Sequence, residues 1–169
     1  MKKYLSLIAV LTLALGANDV YAASAVGTGT ATATIIDQVK VTQKTPMNFG
    51  NLLSSTSEYT VTLNAANSGR ASSDSDVSLV GGGTVSAGEI TISGQSGLSV
   101  TASIGSSAKL KNGSNELTLD NFTVSGITLG QSTTLTNSSL TFKVGGKLTV
   151  PASAPAGTYT GDYTVTVSY

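Results

Sequence analysis

The chain has 169 residues, with 9 basic and 9 acidic side chains and neither histidine nor cysteine. This composition excludes disulfide bonds, zinc sites built from histidine or cysteine, and thiol or histidine catalysis. The balanced charge predicts no nucleic-acid partner. Only 11% of the residues are charged, and the abundance of serine, threonine and glycine favours short strands and tight turns over helices.

Residues 1–22 have the pattern of an export signal. Two lysines near the start precede a short apolar run, and Val20-Tyr21-Ala22 fits a small-residue cleavage site. The apolar run is too short for a membrane span, and no later stretch approaches one. We therefore expect cleavage after Ala22 and an exported mature chain without a membrane span.

Residues 23–36 form an N-terminal extension in which small apolar and hydroxyl side chains alternate up to Ile35-Ile36. The alternation predicts a strand near 28–36 and a second strand near 38–43, with a bend or bulge between them. The extension is a candidate donor strand, which would complete the sheet of another subunit. Its candidate donor residues are Val26, Ala31, Ala33, Ile35 and Ile36.

Residues 37–169 repeat short alternating segments separated by turn signals. Strands are expected near 58–65, 77–80, 89–93 and 98–104, and Asn112-Gly113 predicts a tight turn between two paired strands. No helical periodicity interrupts the series. Many short strands at regular spacing indicate one all-β domain, an antiparallel β-sandwich.

Residues 159–169 have the most regular alternation in the chain. Such a strand has one buried and one wet face, and its backbone edge is a site where another chain can pair. We call this stretch the C-terminal segment and predict that it forms an acceptor or chaperone-binding strand. Its candidate contact residues are Tyr159, Tyr163, Val165, Val167 and Tyr169.

The remaining chemistry rests on carboxylates. Asp74 and Asp76 are two residues apart in a polar loop and could meet a calcium ion, but they lack the further oxygen ligands that such a site needs. Glu116 and Asp120 could form a hydrolase pair, but nothing in their spacing favours this over two exposed charges at strand ends. We interpret all four as exposed charges. The sequence therefore predicts no catalytic residue, no metal, no cofactor and no enzymatic activity.

Several motifs resemble those of a bacterial family of small exported domains of unknown function. The similarity extends from about Thr28 to Tyr169. The motifs are Ala-Thr-Ala-Thr-Ile-Ile at 31–36, Asn-Phe-Gly at 48–50, Gly-Gly-Gly-Thr-Val-Ser-Ala at 81–87, Leu-Asp-Asn-Phe at 119–122, Val-Gly-Gly-Lys-Leu-Thr-Val at 144–150 and Ala-Gly-Thr-Tyr-Thr-Gly at 156–161.

The Phe-Gly motif and the ending at 157–169 also resemble spore-coat-U-type pilins of the archaic chaperone–usher class. This resemblance implies an incomplete immunoglobulin-like sandwich that is completed by donor-strand exchange. The implied partners are neighbouring copies of the chain, a periplasmic chaperone and an outer-membrane usher. The implied route leads through the periplasm to the cell surface or the medium.

Two functions remain open from the sequence. In the first, the protein is a structural subunit of a bacterial surface fibre, with residues 23–36 as the donor and the C-terminal segment beside the acceptor groove. In the second, it is a self-complete monomeric sandwich that binds a surface glycan or another ligand. The two differ in whether the extension pairs with a neighbouring copy or within its own chain.

Overall fold

The computed structural model describes residues 24–75, 79 and 82–169. The predicted export signal, its cleavage site and most of the strand expected at 77–80 lie outside these residues. The described residues form strands, turns and extended chain without any helix, and their strand pairings are antiparallel. The predicted all-β, antiparallel, sandwich-like fold is confirmed. Within this part of the chain, no helix is long and apolar enough to cross a membrane.

The chain divides into two units between Thr34 and Ile35. In the first unit, residues 24–34 are exposed and form no strand. The second unit contains the described strands. In chain order these are β1 (Lys40–Thr45), β2 (Asn48–Phe49), β3 (Tyr59–Leu63), β4 (Arg70–Ser72), β5 (Val85–Ser86), β6 (Gly88–Ser93), β7 (Ser99–Ile104), β8 (Ser107–Asn112), β9 (Asn115–Ser125), β10 (Ser132–Thr134), β11 (Ser139–Val150) and β12 (Val165–Ser168).

The long strand β11 organises the largest sheet because it pairs along both of its edges. β9 lies along one edge, and β6 and β3 follow one another along the other. Gly145 lies where β6 gives way to β3, and a Cβ there would overlap the carbonyl oxygen of Leu63, so only glycine fits. With β1 beside β6, β4 beside β3 and β8 beside β9, the sheet has seven strands.

A second sheet has three strands, with β7 between β10 and β12. Only Gly105 and Ser106 separate β7 from β8, so one extended stretch of chain passes from the smaller sheet into the larger one. The short strands β2 and β5 form a separate two-stranded ladder. The sheets are thus linked by continuous chain as well as by packing.

The core consists of two clusters of buried apolar side chains. Leu63 is a fully buried member of the first cluster and Phe142 of the second. Met47, Phe122 and Tyr163 are partly buried and pack against both clusters. Because each fully buried large side chain stabilises the fold by about 1.5–3 kcal/mol, apolar packing supplies the stability that disulfides supply in many exported domains.

Most of the predicted strands are found at the expected positions. β3, β6 and β7 occupy the segments expected near 58–65, 89–93 and 98–104, and Asn112-Gly113 lies at the turn between β8 and β9, with Gly113 at a φ of 62°. The strand predicted at 38–43 corresponds to β1 at Lys40–Thr45.

The prediction of a strand near 28–36 is wrong for the described fold. These residues alternate as predicted, but none of them is part of a strand. The C-terminal segment is also shorter as a strand than its pattern, because only Val165–Ser168 forms β12. In both places alternation predicts which side chains share a face, whereas a strand also requires a partner edge with which to exchange hydrogen bonds.

Candidate functional site

Two strands at the ends of the main sheets each have one unpaired edge. β1 ends the seven-stranded sheet and β12 ends the three-stranded sheet, and no described strand pairs with their outer edges. Unpaired N–H and C=O groups on such an edge are a template for another strand. These two free edges are therefore candidate interaction sites.

An open cleft of about 430 Å³ lies between β1 and the chain that leads into β12. Its wall on the β1 side comes from β1 itself and the following loop, and its other wall comes from the C-terminal segment. The floor is apolar and belongs to the core. The lining residues are Val41, Gln43, Pro46, Met47, Phe49, Ile90, Leu110, Leu119, Gly161, Asp162, Tyr163 and Val165.

The inward face of β1 is left uncovered at this cleft. Val41 pairs with Ile92 of β6 and Gln43 pairs with Ile90, so both side chains stand on the core face of the sheet. Ile92 is completely buried, yet Val41 is 42% exposed. This difference in exposure between Val41 and Ile92 indicates that no element of the described chain covers the core at β1.

The C-terminal segment forms the opposite wall and pairs first with the larger sheet and then with the smaller one. Thr160 pairs with Lys111 of β8 through two backbone hydrogen bonds of 2.7 and 3.1 Å, whereas Val165–Ser168 pairs with β7. Gly161 lies so close to β8 that a Cβ there would overlap the carbonyl oxygen of Lys109. The segment is thus hydrogen-bonded along one edge to β7 and β8, and no described strand pairs with its other edge.

Tyr163 reaches from the C-terminal segment to β6. Its ring centroid lies 5.5 Å from that of Phe122, and a Cβ on Gly88 would overlap its hydroxyl oxygen. That oxygen is buried and has no hydrogen-bond partner among the described residues. Gln43 approaches it without good hydrogen-bond geometry, and burial raises the pKa of Tyr163 while Gln43 partly opposes the rise.

A second cavity of about 680 Å³ continues from the open cleft. The two share Pro46, Met47, Phe49, Leu110 and Gly161 in their linings. One wall of the second cavity is the connection before the C-terminal segment. That connection is fixed by a hydrogen bond of 2.8 Å from the Tyr159 hydroxyl to the carbonyl of Pro155 and by another of 2.8 Å from Ser54 to Ala154. The cleft is therefore one end of a longer trough.

The structure brings most of the predicted acceptor residues together. Tyr159, Tyr163, Val165 and Val167 are all half-buried, and the residues between Tyr163 and Val167 alternate with them as exposed positions. Tyr169 differs, since it is 67% exposed. Tyr163 and Val165 line the open cleft and Tyr159 lines the second cavity.

The predicted donor residues are exposed. Val26 is 90% exposed, Ile35 96% and Ile36 47%, and Ala31 and Ala33 are exposed as well. Their role as a donor strand stays a prediction. An unpaired alternating segment with exposed isoleucines is the form in which a donor strand would be expected before it is taken up.

Sequence reasoning missed the β1 wall of the cleft. The alternation of Val39 and Val41 predicts a strand, but alternation does not indicate whether that strand ends its sheet. A glutamine at 43, in line with Val39 and Val41, is the available signal, because a polar residue on the core face of a strand is unusual. The isolated Pro46 directly after β1 is a second signal of an edge.

The carboxylates considered for catalysis make ion pairs. Glu116 lies 3.0 Å from Lys111, and the hydrogen bond and charge of that lysine lower the pKa of Glu116. Asp120 lies 3.7 Å from Lys147. Asp76 lies outside the described residues, and in the part of the chain that is described no cluster of three or more histidine, cysteine or acidic residues is placed to hold a metal.

Comparison with known proteins gives one assignment. No curated protein matches the chain. A family model described as a domain of unknown function, DUF4402, matches residues 39–169, which include every described strand and both walls of the open cleft. The similarity to a family of unknown function is therefore confirmed, while the relation to spore-coat-U-type pilins stays a prediction. Because the match covers most of its length, the chain belongs to the DUF4402 family of domains of unknown function.

Proposed function

We propose that this protein is a structural subunit of a bacterial surface fibre whose subunits join by strand exchange. The observation that supports the proposal is the open cleft, where two unpaired strand edges flank an apolar floor and leave Val41 42% exposed. A strand inserted there would cover the core and hydrogen-bond to at least one of the two free edges.

The N-terminal extension of a neighbouring copy is the proposed occupant. It is exposed, alternates in polarity and carries isoleucine at its C-terminal end. Burying Ile35 alone would stabilise the contact by about 1.5–3 kcal/mol, and a ladder of backbone hydrogen bonds would add to this. Donor and acceptor are different surfaces, so a subunit that has donated its extension still has an unoccupied cleft. The next subunit can bind there, and repeated contacts of this kind build a filament.

The proposal includes export and assisted assembly. Residues 1–22 would direct the chain to the periplasm, where a chaperone would cover the cleft until an outer-membrane usher brings in the next subunit. A cleft with an apolar floor between two unpaired strand edges is an aggregation hazard, so a protein of this design needs such a cover before assembly. The proposed function is structural and involves no enzymatic activity, metal or cofactor.

Deletion of residues 24–36 tests the proposal. The full chain and the deletion variant are exported from a bacterial host, and polymers are detected by negative-stain electron microscopy and by ladders on unboiled gels. We expect polymers from the full chain and none from the deletion variant. The matched control replaces Thr28, Thr30, Thr32 and Thr34 by serine, which keeps the length and polarity of the extension, and should still polymerise.

Two results would contradict the proposal. Polymers of the deletion variant would show that the extension is not the donor. A full chain that stays monomeric in the absence of any chaperone, with one cooperative unfolding transition, would favour the alternative of a self-complete sandwich that binds a glycan or another ligand. Circular dichroism of the deletion variant shows whether a loss of polymers reflects a loss of folding.

A further inference from the structure

The side chains on one face of the extension increase in size along the chain. In an extended conformation every second residue shares a face, and the odd positions read Gly27, Gly29, Ala31, Ala33 and Ile35. Gly27 and Gly29 have no atom within 4 Å of the place where a Cβ would stand. The face therefore begins flat and ends with one large apolar side chain.

The corresponding positions of the C-terminal segment also begin with glycine and end with a large side chain. Its odd positions read Gly161, Tyr163, Val165, Val167 and Tyr169, of which Tyr163, Val165 and Val167 are half-buried on the core side. Tyr163 already fills part of the cleft, because its ring spans from the segment to Gly88 of β6. Gly161 lines both the open cleft and the second cavity and has no side chain of its own.

We propose that the extension of a second copy pairs antiparallel with the free edge of the C-terminal segment, in the one register that sets small residues against large ones. This inference rests on the proposed function. In that register Ile35 lies opposite Gly161, Ala33 opposite Tyr163 and Ala31 opposite Val165. Ala31 and Ala33 are then the residues that determine which strand the cleft accepts, and Gly29 and Gly27 lie opposite Val167 and Tyr169.

The sizes exclude the parallel pairing of the same two faces. Directly opposed side chains on one face have Cβ atoms only about 4.5–5.5 Å apart. Parallel pairing would set Ile35 against Tyr169 and leave Gly27 against Gly161, with crowding at one end of the cleft and a void at the other. Antiparallel pairing places the isoleucine beside Gly161, which has no side chain to oppose it.

The direction of β1 indicates that the donor belongs to a second copy. A Cβ on Gly94 would meet both Val39, just before β1, and Leu98, and Leu98 directly precedes the end of β7 that pairs with Ser168. A Cβ on Gly88 would instead meet both Met47, just after β1, and Tyr163. β1 and the C-terminal segment therefore run in opposite directions. A donor antiparallel to the segment is parallel to β1, and a parallel connection within one chain needs a dozen or more residues. Only residues 36–39 separate Ile35 from β1.

Cysteine pairs test the register directly, since the chain has no cysteine of its own. In the proposed register Thr34 lies opposite Asp162, both on the exposed face. Opposed residues have Cα atoms about 4.5–5.5 Å apart, within the range that a disulfide bridges. The variant T34C/D162C is compared with T28C/D162C, whose first cysteine is displaced by six residues, about 20 Å along the strand.

We expect polymers of T34C/D162C to form disulfide-linked multimers on non-reducing gels, at least tenfold more than those of T28C/D162C. Linked multimers of T28C/D162C, or unlinked polymers of both variants, would contradict the proposed register but not strand exchange itself. An intramolecular disulfide in monomeric T28C/D162C would overturn strand exchange as well, because it places the extension in its own cleft. Mixtures of the single variants T34C and D162C detect the same link if a double variant does not polymerise alone.

Ala33→Leu gives an independent measurement of the size match. It places a large side chain over Tyr163, and we expect it to slow polymerisation at least tenfold. Thr34→Leu adds a similar volume to the outward face and should change the rate less than twofold. Equal rates for the two variants would contradict the role of Ala33. Strand exchange itself is tested separately, by the deletion of residues 24–36.

Discussion

At the scale of single residues, Tyr163 carries a buried hydroxyl without a hydrogen-bond partner among the described residues. We expect Tyr163→Phe to leave the free energy of unfolding of the unassembled subunit unchanged or to raise it by up to about 1 kcal/mol, because an unsatisfied buried hydroxyl is removed. The control Tyr159→Phe loses the bond to Pro155 and should cost about 0.5–1.5 kcal/mol. Urea unfolding measures both, and an equal loss in the two variants would mean that the Tyr163 hydroxyl is satisfied.

Tyrosine ionisation gives a prediction on pH. Burial raises the pKa of Tyr163 and of Tyr59 above 10, so the unfolded chain releases these protons first as the pH rises. The unfolding free energy should therefore be unaffected below pH 10 and should fall as the pH rises through the pKa values of the folded state. Urea unfolding from pH 8 to 11 measures the slope, and Tyr163→Phe should make it shallower. An unchanged slope in that variant would contradict the role of Tyr163.

Gly161 is the residue whose size is most restricted within the C-terminal segment. We expect Gly161→Ala to lower the free energy of unfolding by about 1–3 kcal/mol, the usual cost of overpacking, because its Cβ would push the segment away from the backbone of β8. Gly105→Ala is the matched control, since a Cβ there would meet only the Thr164 carbonyl oxygen, at 3.9 Å. Chemical denaturation compares the two, and similar losses would argue against the close contact between the segment and β8.

At the scale of elements, β1 is a strand with both faces in contact with solvent, and its inward face borders the open cleft. Val41→Asp should lower the free energy of unfolding of the unassembled subunit by no more than about 1 kcal/mol, because Val41 is only partly buried. It should nevertheless prevent polymerisation, since strand uptake would bury the new charge. Thr42→Asp places the same charge on the outward face and should still polymerise. Polymers of Val41→Asp seen by electron microscopy would place the donor elsewhere.

The alternation of side chains correctly predicts which residues of a strand share a face, but it does not predict which strands pair. Tyr163, Val165 and Val167 are half-buried and their neighbours exposed, as the sequence indicates, because side-chain direction is a local property of an extended chain. That β11 pairs with three strands, and that β7 continues into β8 across two sheets, depends on contacts between residues far apart in sequence. Alternation contains no information on such contacts, so it does not predict the β1 wall of the cleft, for which Gln43 and Pro46 are the available signals.

At the scale of the whole molecule, the sequence predicts an all-β domain from its composition and turn spacing, and the structure adds a region where the described part of that domain is open. Closed sheets and barrels remove strand edges, whereas open sheets protect them with charges, bulges or covering segments. Here the edges of β1 and β12 adjoin an apolar floor. Lys40 and Lys44 on β1 are exposed charges of the kind that discourage nonspecific pairing.

Filling the cleft should stabilise the whole domain, and this can be measured apart from fibre formation. A synthetic peptide with the sequence of residues 24–36 is added to the variant that lacks them, and thermal unfolding is followed. A ligand that binds only the folded state stabilises it in proportion to the logarithm of its concentration, by about 2.7 kcal/mol at 100 times its dissociation constant, so we expect the melting temperature to rise with peptide concentration. A peptide with aspartate in place of Ile35 should produce no rise, because the charge would be buried beside Gly161 without a partner. A melting temperature that is independent of the native peptide would mean that the extension does not bind this cleft.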